Sequence, residues 1–199
     1  KLNLEKITKN SRTAFDDTVN PVKKNRVLKT FSNLLIKNKR LIFKENRKDM
    51  ILAKQKKIKE SLIKRLELDD NKIKYIIKSV KDIIKIKDPT NNTLDMWKRP
   101  NGLIIKKVTV PIGVIAVVYE SRPNVTSDVA SLCFKSGNAV ILRGGSEAFN
   151  TNKIISKLFR KSLKKCGVNQ NYVQFIGSKN RKIVNNLLSK MKGNIDLII

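Results

Sequence analysis

The stretch from Thr109 to Asn152 constrains the fold more than any other part of the chain. It holds two nearly uncharged apolar runs, Gly113–Tyr119 and Ala139–Leu142, in a sequence otherwise studded with lysine. Short Val- and Ile-rich runs bounded by Gly, Pro or Asn read as strands. Neither run alternates with polar residues, so both faces of each strand are covered, as in a parallel sheet. Between them Val125, Val129, Leu132 and Cys133 fall at helical spacing behind Pro123 and Asn124, an acceptable helix opening. The unit is strand, loop, helix, strand. Ligands of such sheets bind at the carboxyl ends of the strands, where this sequence places two polar loops, Tyr119–Asn124 and Arg143–Glu147.

Residues 1–88 read as a helical N-terminal layer. Leu4, Ile7, Ser11, Ala14 and Phe15 form one stripe, and Asn20-Pro21 caps a second helix with Val27, Leu28, Phe31, Leu34 and Leu35 inward. Leu41, Ile42, Met50, Ile51 and Leu52 continue the pattern. A short helix at 61–66 precedes Asp69, which caps the most periodic helix, Ile73 to Ile84. Residues 89–110 read as a polar connecting loop, with Trp97 as its packing anchor, followed by an edge strand from Leu103 to Val110. Beyond them, residues 111–199 form an α/β region. A helix over 146–166 is stopped by Gly167, a strand covers 172–176, a helix covers 181–191 and a last strand covers 195–199. Four strands separated by three helices predict a Rossmann-like, doubly wound parallel sheet. The bare strand on which the sequence stops predicts a truncated domain.

Composition narrows the function. The sequence has no histidine, which excludes Ser-His-Asp and Cys-His nucleophiles and His-containing zinc sites, and no metal site is expected. No segment is apolar enough to span a bilayer and the N-terminus has no signal-peptide core, so no membrane association is expected and the compartment reads as cytoplasmic. The net charge of +28 raises the alternative of a basic, non-specific nucleic-acid-binding protein. Yet the 34 lysines and 10 arginines are scattered from end to end without aromatic interleaving, so no specific nucleic-acid partner is expected. Cys133 and Cys166 have no CxxC spacing; both read as structural.

The wording VPIGVIAVVYESRPNVTSDVASLCFKSGNAVILRGGSEA, with WKRPNGL before it and IDLII after it, resembles the gamma-glutamyl phosphate reductase (glutamate-5-semialdehyde dehydrogenase) family of the aldehyde dehydrogenase superfamily. The resemblance implies an NADP(H)-dependent reduction of L-glutamyl 5-phosphate to L-glutamate 5-semialdehyde in proline biosynthesis. It also implies that only the N-terminal, cofactor-binding portion is present, with the catalytic domain and its nucleophilic cysteine lying beyond residue 199, so that the chain alone is inactive. The resemblance leaves open a homo-oligomer in the complete protein. A generic aldehyde dehydrogenase fragment is the other alternative.

Superfamily relatives carry a Lys-Pro-Ser/Ala-Glu word whose Lys and Glu contact the ribose; laid over this sequence, the Lys falls on Arg143 and the Glu on Ser146. Arg143, Gly144, Gly145 and Ser146 would thus hold the adenosine end. A cation with no carboxylate opposite favours the 2′-phosphate of NADPH. Gly144-Gly145 also reads as a plain tight turn. Phe175-Ile176-Gly177-Ser178 resembles the superfamily loop that meets the pyrophosphate, although Ser178 also reads as a plain helix cap. Asn124 is a candidate oxyanion donor and Arg122 a candidate substrate contact.

Overall fold

The computed structural model describes residues 3–180, 182–190 and 193–199. Five helices come first: α1 (Leu4–Asp16), α2 (Pro21–Lys37), α3 (Lys39–Gln55), α4 (Glu60–Leu66) and α5 (Asp70–Lys85). The expected caps form. Asn20 Oδ1 accepts from Lys23 N at 2.8 Å and Asp69 Oδ1 from Lys72 N at 2.7 Å, each meeting a first-turn amide that has no partner within its helix. All five apolar residues expected to face inward on α2 are buried, and so are Ile73, Ile76, Val80 and Ile83 of α5.

Helix α3 departs from expectation. Ile51 and Leu52 of its apolar pattern are exposed, while the inward face is Ile42, Asn46, Asp49 and Ala53. These recur at helical spacing, but two are polar, so hydrophobicity alone picks the wrong face. They are buried because each is fully engaged. Asn46 donates to Leu66 O at 2.9 Å and accepts from Leu68 N at 2.9 Å, and Asp49 takes bonds from the far half of the chain.

The loop expected at 88–102 contains a strand. β1 (Thr93–Lys98) pairs antiparallel with β2 (Ile104–Val108) through a turn in which Arg99 N bonds Leu103 O at 2.8 Å and Gly102 takes φ +87°. The polar residues of β1 hide a strand that its neighbour completes. Trp97 is 43% exposed, and every residue of β1 is exposed among the described residues, so it is not the packing anchor expected. At the base of the ribbon Lys24 Nζ meets Asp88 Oδ2 at 3.0 Å and Thr90 Oγ1 at 3.2 Å, with Lys135 Nζ on Asn25 Oδ1 at 2.6 Å beside it. Gly137, at φ +78°, leaves room there for Pro111 and Thr90.

The α/β region follows in the predicted order: β3 (Val114–Tyr119), α6 (Pro123–Lys135), β4 (Ala139–Gly144), a 3-10 turn (Ser146–Ala148), α7 (Phe149–Lys165), β5 (Val173–Phe175), α8 (Lys182–Lys190) and β6 (Leu197–Ile198). Arg181 and Met191, the expected ends of α8, lie outside the described residues. The sheet is parallel throughout in the order β5-β4-β3-β6, with Val114 opposite Ala139 and Ile115 opposite Leu197. The chain therefore reverses direction across the sheet after β5. All six residues of β4 are buried, as the unbroken apolar run required.

Helices α6 and α7 cover one face of the sheet, with α2, α3 and α5 packed outside them, while α1 covers the other face. Phe134, Phe159 and Phe31 stack through these layers at centroid distances of 5.9 and 4.6 Å. α6 also corrects the sequence reading. Its buried side is Thr126, Ser127, Ala130, Ser131 and Phe134, while Leu132 is 50% exposed. Small side chains let the helix axis approach the sheet more closely than the Val and Leu stripe would.

Candidate functional site

At the carboxyl ends of β3 and β4 lies a cleft of about 560 Å³, within the range of small-molecule sites. One wall is apolar and comes from the helical layer: Ala53 and Ile58 after it, then Leu62, Ile63 and Leu66 of α4. The other wall is polar, formed by Tyr119, Ser121, Arg122, Arg143, Gly145 and Glu147. The predicted residues Arg122, Arg143 and Gly145 thus meet in one cleft.

Arg143 is 8% exposed, donates from Nη1 to Gly144 O at 3.2 Å and has its buried Nε without an acceptor. A buried guanidinium N–H without an acceptor is costly in a closed protein, and an anionic or carbonyl oxygen is the kind of group that can meet it. Arg122 is half-exposed, 4.0 Å from the Glu120 carboxylate, and Arg65 reaches the same carboxylate at 3.8 Å across the mouth. Asn124 opens instead on a neighbouring groove with Lys64, Lys72 and Tyr75, and its amide donates to Asp128 at 3.2 Å.

The two glycines serve the protein's own packing. A Cβ on Gly144 would collide with Asn152 Nδ2 and stand 2.9 Å from the Tyr119 ring; one on Gly145 would strike Ser121 Oγ and stand 2.9 Å from Ser121 N. Both strand-end loops can therefore touch. Tyr119 Oη meets Thr126 Oγ1 at 2.7 Å, and Thr126 donates to Asn152 Oδ1 at 2.9 Å, which carries the contact from β3 through α6 to α7. Burial raises the Tyr119 phenol far above its ordinary value despite the Thr126 bond, so it stays neutral.

Two carboxylates missed by the sequence reading hold the 3-10 turn and the helix start after it: Glu147 within the turn and Asp49 from α3. Asp49 of α3, 1% exposed, accepts from Asn150 N (3.1 Å), Asn150 Nδ2 (2.8 Å), Thr151 N (2.8 Å) and Thr151 Oγ1 (2.7 Å). The N-terminus of α7, an anion site by its dipole, is filled by the protein itself. Glu147 accepts from Ser146 Oγ at 2.7 Å and from Ser121 Oγ. Burial pushes its pKa up, but the two hydroxyls and nearby Lys56 outweigh burial and hold it below the usual carboxylate range. The carboxylate expected to be absent beside Arg143 thus enters one residue later, with the Ser146 hydroxyl engaged by it.

Gly177 and Ser178 follow β5 and adjoin the same strand ends. A Cβ on Gly177 would meet nothing, so the backbone there is open. Ser178 Oγ accepts from Asn180 N at 3.2 Å, while Asn180 Oδ1 takes Lys182 N, the first amide of α8, at 2.9 Å. Lys179 Nζ lies 5.1 Å from the Phe149 ring centroid, bringing this loop against the start of α7. Neither cysteine is near a nucleophile's geometry. Burial pushes the Cys133 thiol up to about 11, and Cys166 ends α7, about 25 Å along a 17-residue helix from the cleft, with its sulfur on Thr30 Oγ1 at 3.5 Å.

A parallel sheet wound in this order, with a helical layer closing a cleft over its strand ends, defines an aldehyde dehydrogenase-like fold. A probable aldehyde dehydrogenase from Listeria monocytogenes superposes on 97% of the chain at a TM-score of 0.70 and 12% identity. No protein-family model matches the chain. Within the fold, the chain is a homologue of the N-terminal portion of gamma-glutamyl phosphate reductases. The one from Thermoanaerobacter sp. (strain X514) is 47% identical over 88% of the chain. The Thermotoga maritima crystal structure matches 97% of the chain at a TM-score of 0.94 and 37% identity. The chain spans 42% of the first relative's length and 47% of the second's. Among the described residues no group of acidic or sulfur side chains is arranged to hold a metal ion, and no helix is long and apolar enough to cross a membrane.

Proposed function

We propose that this chain is the nicotinamide-cofactor-binding part of a gamma-glutamyl phosphate reductase, an NADPH-dependent enzyme that converts L-glutamyl 5-phosphate to L-glutamate 5-semialdehyde in the cytoplasm. The identity to reductases of that name, 40% over 99% of the chain in Sulfurihydrogenibium, carries the reading. The cleft fits the group. Its apolar wall suits an adenine ring, and the unaccepted Nε of Arg143 suits a phosphate or ribose oxygen beside it. Gly177 and Ser178 offer open backbone for the pyrophosphate. When bound, the cofactor supplies the hydride. The chain's own residues orient it: Arg143 by charge, Gly145 and Ser146 by the turn they form, α4 by excluding water. Arg122 at the mouth is the candidate contact for the substrate's phosphate or carboxylate; Asn124, on the neighbouring groove with its amide on Asp128, is an oxyanion donor only if that amide turns away from Asp128. The nucleophile is not Cys133 or Cys166, and the chain alone does not turn over; turnover lost on Cys133→Ser or Cys166→Ser would overturn this.

NADPH preference rests on Arg143, with the Glu147 carboxylate in the same cleft working against it, and is tested by calorimetric titration. NADPH should bind tighter than NADH by about tenfold or more, the effect of one charge-assisted phosphate contact, and Arg143→Ala should remove most of the difference. Equal affinities would refute the preference. Binding of neither nucleotide would refute the reading of the cleft.

A further inference from the structure

We propose that Glu147 is a positioning residue. Its carboxylate clasps the loop after β3 to the turn after β4, and the cleft keeps its nucleotide-accepting shape only while that clasp is closed. The proposal rests on the cofactor reading above and adds to it a residue and a mode of control.

The geometry is specific. One carboxylate oxygen accepts from Ser121, on the β3 loop, and the other from Ser146, at 2.7 Å, on the β4 turn. Each oxygen is engaged by one hydroxyl, so the side chain bridges the two loops from within the cleft lining. Gly145 keeps the two loops within reach, since any side chain there would displace Ser121. On its far side the turn is fixed by Asp49 through Asn150 and Thr151. The turn is thus anchored to the helical layer by one carboxylate and to the β3 loop by the other. Arg122 and Glu120, two of the cleft's charged groups, sit on the loop that Glu147 holds.

The clasp depends on ionisation. The charged groups facing it are Lys56 after α3, Arg65 of α4, Glu120 and Arg122 on the β3 loop, and Arg143 of β4. Glu120 is the other acid among them, and its side chain is 75% exposed. With its pKa held below the usual range, Glu147 keeps the clasp closed above that range and releases it as pH falls through the depressed value.

Hydrogen exchange on the 199-residue chain without nucleotide, comparing wild type, Glu147→Gln, Ser121→Ala and the double variant, tests the clasp directly. Both single variants should speed exchange at 120–124 and 145–148 together, by about tenfold or more for loss of a charged hydrogen bond. The double variant should be no worse than Glu147→Gln. NADPH affinity should fall in the same order, and on acidification wild-type binding should weaken more than that of Glu147→Gln, which keeps only the loss due to protonation of the nucleotide's own phosphate. Unchanged exchange in both single variants, or additive effects of the two substitutions on exchange, would overturn the clasp; a loss of NADPH affinity in Glu147→Gln with exchange unchanged would place Glu147 on the ligand instead. Should wild type bind no nicotinamide nucleotide, the functional reading fails, and the exchange data still decide the clasp. Ser121→Ala, which removes one hydroxyl, keeps the test open if Glu147→Gln does not fold.

Discussion

Replacing Asp49 with Ala should cost as much stability as truncating the fully buried Ile42 of α3, although Asp49 is polar. The carboxylate is 1% exposed and meets four donors of the first turn of α7, two of them backbone amides with no partner inside the helix. Removing it deletes charge-assisted bonds, each contributing about 1.5–3 kcal/mol, and leaves buried N–H groups unmet. A cap on an accessible helix contributes only about 1 kcal/mol. Here burial, the helix dipole and the four bonds together argue for about 3–5 kcal/mol, the range for breaking a buried charged network. In urea, with a slope of about 2 kcal/mol/M, the midpoint should drop by roughly 1.5–2.5 M with little change in slope. Asp49→Asn, which keeps one acceptor, should fall between. The cycle with Thr151→Val should show strong coupling, because both changes delete the same bond. A loss below about 1 kcal/mol for Asp49→Ala, or additive effects in that cycle, would refute the view that this carboxylate pins α7.

Gly145→Ala should destabilise the chain by about 1–3 kcal/mol through collision with the Ser121 loop, whereas Gly177→Ala, facing open space at ordinary φ, should be nearly neutral. Urea unfolding of the pair checks this, and equal losses would contradict it. Asp88→Asn should lower stability at neutral pH by about 3–5 kcal/mol, since it strands the buried Lys24 ammonium. Burial raises the Asp88 pKa, but bonds from Thr90 and Lys24 hold it below the ordinary value. Its contribution is therefore present above that value and lost as pH falls through the depressed one. The stability gap between wild type and Asp88→Asn should close in acid; a constant gap across pH 7 to 3 would count against the assignment.

The parallel sheet was legible in the sequence because a strand buried on both faces leaves an unbroken Val and Ile run, and β3 and β4 do so. Helices α2 and α5 were legible from their apolar spacing and their Asn20 and Asp69 caps. The inward faces of α3 and α6 were not, because Asn46, Asp49 and Thr126 are polar residues whose burial depends on partners 26 to 105 residues away, and Ser127 is a small polar residue buried beside Thr126. In the candidate site, Arg143 and its loop stood out as a charged word closing an apolar run. Glu147 lay inside that same word, but nothing local showed that it would turn back to Ser121. A signal for Asp49 did exist in its spacing from Ile42 and Ala53, at the cost of reading an acid as a core residue.

The strand order has a consequence for how the chain assembles. β3, α6 and β4 close over a short separation, with Asn138 holding Gly113 N across 25 residues, whereas β6 joins β3 only when Asp196 reaches Val114 N across 82. Loop closure makes the second step about 1 kcal/mol more costly in chain entropy, before Asp196 also finds Arg12 from the other end of the sequence. The β3-α6-β4 unit can therefore organise first, with β6 docking late and opening first. Substitutions at Asp196 would then act on the rate of unfolding, and those at Val140 or Ala116 on the rate of folding.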